Sequence, residues 1–252
     1  MNSIKVLFNG LELNLLADRA IWAPSLGCLF VADTHFGKTT TFRQMGLAVP
    51  AGTTASMLER LNRLLSNTAA EHLVVLGDWI HHSKSAGQDY IDELTVWRDR
   101  WRQLLITCVE GNHDHCNRRL LSQLSMELVV EGTELDQLLL CHYPIDETSA
   151  DKTAAASPTE RPQFDQKQFR LNAPRGRRLR LCGHLHPGRK LPIAPKLLRS
   201  FPCFVVGNSQ IILPAFGEFK GLAQVDSSAS LQLIACVNDQ LFVVPEALEQ
   251  IS

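Results

Sequence analysis

Seven side chains of the kind that bind metal ions follow five short apolar runs of this chain. CLFVADTH carries Asp33 and His35, LVVLGD carries Asp78, and LLITCVEGNHD carries Asn112. LLLCHYP delivers His142, and RLRLCGHLHP delivers His184 and His186. Carboxylate, imidazole and amide without thiolate suit Mn²⁺, Fe or Zn²⁺ better than a soft metal or Ca²⁺. With Asp78 shared as a bridging carboxylate, the set fills two sites of four positions each. Two divalent ions ~3.5–4 Å apart clamp the attacking and leaving oxygens of an in-line phosphoryl displacement, and water bound to them ionises near neutral pH. The leaving oxygen still needs a proton. His113 lies inside GNHD but outside the ligand set, so it is the candidate general acid, with Asp114 beside it to orient the ring.

The elements follow from what must carry these residues. A short apolar run stopped by turn residues reads as a buried strand. Ligands placed just past the carboxyl ends of strands are the arrangement of open α/β sheets. Asp33-x-His35 and His184-x-His186 are each one residue apart, and an extended chain would send both members to one face. Between the strands, residues 54–69 place Met57, Leu58, Leu61, Leu64 and Leu65 at helical spacing. Residues 88–104 do the same with Ile91, Leu94, Trp97, Trp101 and Leu104. NRRLLSQL predicts a short helix after GNHD, and residues 36–52 a loop with one short helix. Asn9-Gly10 predicts a hairpin over residues 4–16, and Asn238-Asp239 another over 231–244. MELVVEG, CFVVG and QIILPAF read as further strands. The expectation is an α/β layered fold in one domain over residues 1–252, with central β-sheets flanked by helices and metals at the strand ends. Residues 146–163 are polar and of low complexity, which predicts a mobile inserted loop.

Composition sets the outer limits. The chain has 252 residues, 45% hydrophobic and 20% charged, so a packed core is expected. No apolar run nears the ~18 residues that span a bilayer, and the N-terminus alternates like a strand, so no membrane partner and a cytoplasmic location are expected. Seven cysteines form no CxxC pair and read as reduced core thiols. Of the remaining histidines, His81 is a candidate supporting residue behind a ligand, His82 a weaker one, and His72 and His115 read as surface.

Net charge is −1, yet residues 161–199 hold eleven Lys or Arg and one acid, Asp165. The rest of the chain holds 14 basic and 25 acidic residues, an asymmetry that points to a polyanion partner. Arg175, Arg177 and Arg178 are the densest group, and Lys38 and Arg43, just past the first ligand pair, are further candidates for phosphate contact.

DTH, GD, GNHD, a lone His after an apolar run, and GHLH, in that order, resemble the calcineurin-like metallophosphoesterase superfamily over about residues 28–187. The resemblance implies Asp33, His35, Asp78 and His186 on one metal and Asp78, Asn112, His142 and His184 on the other. It also implies His113 as the catalytic histidine. VADTHFGKTTTFRQMGLAVPAGTT, VVLGDWIHH, CGHLHP and ILPAFGEFKG resemble, more narrowly, the bacterial ligase-associated DNA damage response endonucleases. The 146–163 insert and Lys220-Gly221-Leu222 depart from that pattern without touching a ligand. The narrower resemblance implies a phosphodiesterase that cuts DNA in DNA repair, associated with a DNA ligase and a helicase. The expected cofactor is two divalent ions, Mn²⁺ with Fe or Zn²⁺ open, and the expected partner is single-stranded DNA. The alternative is a small-molecule phosphoesterase acting on nucleotides or phosphomonoesters.

Overall fold

Parallel strands covered on both faces read as unbroken apolar runs, and the runs that carry the ligands are of this kind. The structure, a computed structural model, describes residues 2–48, 52–81, 88–145, 163–165, 168–171, 176–218, 221–226 and 230–245. In chain order its strands are β1 (Ser3–Phe8), β2 (Leu11–Leu16), β3 (Ala20–Ala23), β4 (Cys28–Val31), β5 (His72–Val75), β6 (Leu105–Val109), β7 (Glu127–Val129), β8 (Thr133–Leu135) and β9 (Leu138–Leu140). There follow β10 (Gln163–Asp165), β11 (Gln168–Leu171), β12 (Leu179–Cys182), β13 (Pro187–Ala194), β14 (Leu197–Val206), β15 (Gln210–Ile212), β16 (Ala223–Gln224), β17 (Gln232–Val237) and β18 (Gln240–Val243). The helices are α1 (Lys38–Gln44), α2 (Thr53–Thr68), α3 (Gln88–Arg100) and α4 (Arg118–Gln123).

The strands form two sheets. The first has the order β10-β11-β1-β2-β3-β4-β5-β6-β7, with β4, β5, β6 and β7 parallel to one another. The second has the order β16-β13-β14-β15-β12-β9-β8, with the β17–β18 hairpin paired onto β14. Within it β9, β12 and β15 run parallel.

Alternation along β4 and β5 explains the layers. Phe30 and Ala32 on β4 and its exit, and Val74 and Leu76 on β5 and its exit, point between the sheets, where they meet Leu138, Leu140, Leu179, Leu181 and Phe204. Leu29, Val31, Leu73 and Val75 point the other way, onto Leu61, Leu64 and Leu65 of α2 and Leu94 and Trp97 of α3. The indoles of Trp97 and Trp101 both donate to Asn62 Oδ1, at 3.0 and 2.7 Å, tying α3 to α2. A third cluster, with Cys141, Cys182, Phe201, Cys203 and Leu233, covers the outer face of the second sheet. Deleting one of the fully buried leucines, Leu61 for instance, would cost ~2–5 kcal/mol.

The expected elements are present with several differences. The second predicted helix stops at Arg100 rather than 104, because Leu105 must pair into β6, its amide donating to Glu71 O. MELVVEG is a strand only over β7. Strands β3, β8, β10, β11, β13 and β16 lacked a clear apolar alternation and are additions. The insert at 146–163 lies outside the described residues except for Gln163, which begins β10. His72 is not at the surface: it is half-buried, with Nε2 2.9 Å from Thr107 Oγ1 and Nδ1 3.5 Å from Cys28 Sγ. Among the described residues no helix is long and apolar enough to cross a membrane. All seven cysteines are free, and six of them are buried.

Candidate metal centre

The ligand-bearing turns meet where the carboxyl ends of β4, β5, β6, β9 and β12 come together. Turns 33–36 and 77–80 run side by side: Asp33 N donates to Gly77 O, His35 N to Asp78 O and Phe36 N to Trp79 O, at 3.1, 2.8 and 2.8 Å. From the second sheet, Gly183 N donates to His142 O at 3.1 Å. The two sheets are joined at the site itself, where His184 N donates to Asp33 Oδ2 at 2.8 Å.

All seven predicted ligands fall into two adjoining clusters. In one, His35 Nε2 is 3.4 Å from His186 Nε2, 3.5 Å from Asp78 Oδ2 and 3.9 Å from Asp33 Oδ1, and His186 Nε2 is 3.4 Å from that same Asp33 oxygen. In the other, His142 Nε2 is 3.0 Å from His184 Nδ1, 3.2 Å from Asn112 Oδ1 and 3.8 Å from Asp78 Oδ2. Ligand atoms bound to one ion at ~2.0–2.2 Å are separated by about 3.0–3.5 Å, so both clusters are near the size of a coordination shell. One oxygen, Asp78 Oδ2, belongs to both, as a bridging carboxylate must.

Several observations test whether a cation fits here. Asp33 Oδ1 is buried and accepts no hydrogen bond, while its other oxygen accepts from His184 N. An orphaned carboxylate oxygen is costly unless a positive charge faces it. His142 places Nδ1 2.9 Å from Leu76 O, which makes Nδ1 the N–H and leaves the Nε2 lone pair for a metal. Burial, with the neighbouring His142, holds the His184 imidazole below its ordinary value, in the neutral form a ligand needs. The donor set fits a pair of divalent ions. The floor, Asp33, His35, Asp78 and His142, is buried, and the rim of Asn112, His113, His184 and His186 is open to an incoming phosphate.

The backbone at the site is unusual. Asp33, His35, Asp78, His184 and His186 all have positive φ, between 45° and 66°. Left-handed backbone is rare for residues other than glycine and clusters at functional sites. The Asp33-x-His35 and His184-x-His186 pairs therefore face the clusters from tight turns, not from the extended chain the spacing suggested. The glycines of GD, GNHD and GH make room for these turns. A Cβ on Gly77 would lie 2.1 Å from His142 Nδ1, one on Gly111 2.3 Å from Asp78 Oδ1, and one on Gly183 2.5 Å from Asp33 Oδ2.

The candidate acid His113 stands with Nε2 3.9 Å from Asp78 Oδ2, its side chain 30% exposed. His81 stands close by, its ring centroid 5.0 Å from that of His113 and 5.6 Å from that of His35. His82 lies outside the described residues. Asp114 does not face the His113 ring. Its carboxylate accepts from Asp78 N at 2.7 Å, Gly111 N at 3.0 Å and Trp79 N at 3.2 Å. It holds the turns that carry Asp78 and Asn112 to one another. Burial pushes its carboxyl up to about 6, against the Gly111 amide, which favours the ionised form.

The proposed phosphate contacts divide. Lys38 and Arg43 lie on α1 directly after the first ligand pair, Arg43 exposed and Lys38 half-buried. Arg175 lies outside the described residues, and Arg177 is exposed. Arg178 pairs with Glu134 Oε2 at 2.6 Å, and Arg180, on β12, with Glu131 Oε1 at 3.0 Å, so both stand beside a carboxylate.

Three supports escaped the sequence reading. Gly217 N donates to Asp33 O at 3.1 Å and Phe216 N to Ala32 O at 2.8 Å, so the late ILPAFGE segment braces the first ligand turn. Arg60 and Arg19 hold that segment through its carbonyls, Arg60 also lying over the Phe216 ring. Tyr143 packs its ring against His142 and His184, with centroids 4.8 and 4.6 Å away. Gln210 pins the chain just beyond it, accepting from Ile145 N at 3.0 Å and donating to Ile145 O at 2.7 Å. An aromatic next to a ligand was the one signal that could have marked Tyr143.

Residues 28–188 match the calcineurin-like phosphoesterase family. The fold is similar to the crystal structure of the Pseudomonas putida nuclease MPE, with 29% identity and a TM-score of 0.73, over 96% of this chain and all of that one. It is less similar to Yfce, a phosphoesterase from E. coli, with 15% identity and a TM-score of 0.39, over 86% of this chain and 97% of that one. No curated protein matches the sequence.

Proposed function

The chain belongs to the calcineurin-like phosphoesterase family, and we propose that it is a binuclear, Mn²⁺-dependent phosphodiesterase that cuts DNA. The carrying observation is the pair of clusters sharing Asp78 Oδ2 beneath an open rim that holds His113. The DNA part of the reading is supported by likeness to a nuclease along nearly the whole chain. It is also supported by the motifs outside the metal site, VADTHFGKTTTFRQMGLAVPAGTT and ILPAFGEFKG. A repair role beside a DNA ligase and a helicase belongs to the same reading.

When bound, the two cations would sit on the ligands named above and supply charge for the phosphate and for water activation. The chain's own residues do the rest. The Asp78 oxygen shared by the two clusters, Oδ2, is held in place because its partner oxygen, Oδ1, accepts from His113 N at 2.9 Å. The His113 ring, on the open side, gives the proton of Nε2 to the leaving oxygen, and the water-exposed rim lets it be reprotonated. Asn112, as an amide, completes its cluster without adding negative charge opposite the phosphate.

The test is incubation of purified protein and Mn²⁺ with circular single-stranded DNA, duplex plasmid and a chromogenic phosphodiester. Opening of the single-stranded circle is the expected result. Hydrolysis of the chromogenic diester with both DNAs intact would replace the DNA reading with the small-molecule one.

A further inference from the structure

The strand that leaves the metal ligand His186 does not stay in the body of the protein. Strands β13 and β14 form a hairpin whose base is fixed and whose tip is exposed. At the base, Ala223 N donates to His186 O and Val225 N to Gly188 O, each at 3.1 Å. Arg189 pairs with Asp226, and Gly188 packs so closely on Leu222 that a Cβ there would lie 2.6 Å from the leucine Cβ. From Pro187 to Ala194 the strand extends roughly 20–25 Å from the ligand. Along it, burial gives way to exposure, and the first half of β14 is exposed in the same way.

The tip has a particular chemistry. Ile193, Leu197 and Leu198 are 50%, 53% and 45% exposed. Pro192, paired with Leu198, is also exposed. Lys190, Lys196 and Arg199 are exposed beside them, and none of the three forms an ion pair among the described residues. No acid occurs between residues 187 and 217. The register pairs Lys190 with Ser200 and Leu191 with Arg199, so Lys190 and Arg199 stand on opposite faces. The tip is therefore an apolar wedge with cations on both sides. Cations without a carboxylate partner, Arg199 lying over the Phe201 ring, beside exposed Leu, Ile and Pro suit nucleic acid, the charges meeting phosphates and the apolar side chains entering between bases.

We propose that the β13–β14 hairpin is a nucleic-acid arm. Lys190, Lys196 and Arg199 contact the backbone of the strand being cut, and Pro192, Ile193, Leu197 and Leu198 part its bases. This rests on the DNA reading above and assigns its binding surface. It moves the contact away from Arg178, whose charge Glu134 already offsets.

Binding of a labelled single-stranded oligonucleotide, measured in EDTA so that nothing is cut, tests the arm directly. One variant combines Lys190→Gln, Lys196→Gln and Arg199→Gln. A second combines Ile193→Ser, Leu197→Ser and Leu198→Ser. Chromogenic diester hydrolysis with Mn²⁺ checks that both fold. The charge variant is expected to bind at least ~10-fold more weakly at moderate salt, with a log–log salt slope lower by about 2, as three lost single-strand contacts give. The apolar variant is expected to bind more weakly with its slope unchanged. Parent-like affinity and slope in both variants, with a parent that binds and cuts DNA, would overturn the arm and leave the DNA reading standing. A parent that neither binds nor cuts DNA would remove both. Loss of binding to anionic phosphatidylserine vesicles without loss on DNA would reassign the hairpin to a membrane surface and overturn the proposal.

Discussion

His113 donates its backbone amide to Asp78 Oδ1 at 2.9 Å, while its ring Nε2 stands 3.9 Å from Asp78 Oδ2. One residue thus does two separable things. Its main chain holds the shared carboxylate, and its side chain faces the space a substrate phosphate must enter. Because the amide survives any side-chain change except to proline, the ring can be removed while the bond to Asp78 is kept.

Replacing Asp78 with Ala removes the oxygen that lies between the two clusters and takes from His35 and His142 the carboxylate that faces them. Diester hydrolysis should fall below detection. Metal content by mass spectrometry should drop well below two ions per chain. Full turnover by a well-folded variant would sink the binuclear reading.

His113→Ala should retain both ions, since the backbone bond to Asp78 remains. DNA cleavage should slow by ~10²–10⁴-fold, the usual worth of a positioned acid. A nitrophenyl diester has a leaving group that needs less protonation and should suffer less. Equal losses on the two substrates would remove the proton-donor role.

Gly77→Ala places a methyl 2.1 Å from His142 Nδ1 at a position with φ of +88°. Left-handed backbone alone costs ~1–3 kcal/mol, and the ring must also leave the Leu76 carbonyl. We expect a lower melting temperature and selective loss of the ion in the Asn112–His142–His184 cluster. A variant with unchanged stability and two ions per chain would show that the ring can shift freely.

His72 gives the fold a pH dependence away from the metals. Burial holds its imidazole below the ordinary value, opposed by Glu127. A lowered folded value means the contribution is fully present above the unfolded pKa of about 6.5 and is lost as pH falls through the folded one. Urea unfolding in EDTA at about pH 7.5 and about pH 5.5 should therefore show a smaller loss of stability for His72→Gln than for the parent. Identical losses would place the acid sensitivity elsewhere.

The candidate ligands stood out in the sequence because buried parallel strands must be unbroken apolar runs. A carboxylate or histidine straight after such a run stands out against it. Helix α2 was legible for a similar reason, since Met57, Leu58, Leu61, Leu64 and Leu65 repeat at the helical period and all are buried. Which ligand faces which was a matter of tertiary structure. Asp33 and His184 are far apart in the chain and meet only because two sheets pack with their strand ends together. The left-handed turns at Asp33, His35, Asp78, His184 and His186 left no mark in residue type, since neither Asp nor His demands positive φ. They are imposed by the turns that join the sheets, and the nearby glycines show only in the structure that they clear space for a ligand. Asp114 was misplaced because sequence proximity suggested the His113 ring as its neighbour, whereas backbone amides reach it through the fold; Arg178 was marked by the density of basic residues, and only the fold sets Glu134 beside it. The hairpin tip of β13 and β14 was not read from the sequence at all, where only CFVVG stood out as a strand, because a sequence records that Leu198 is apolar and only packing decides that nothing in the described fold covers it.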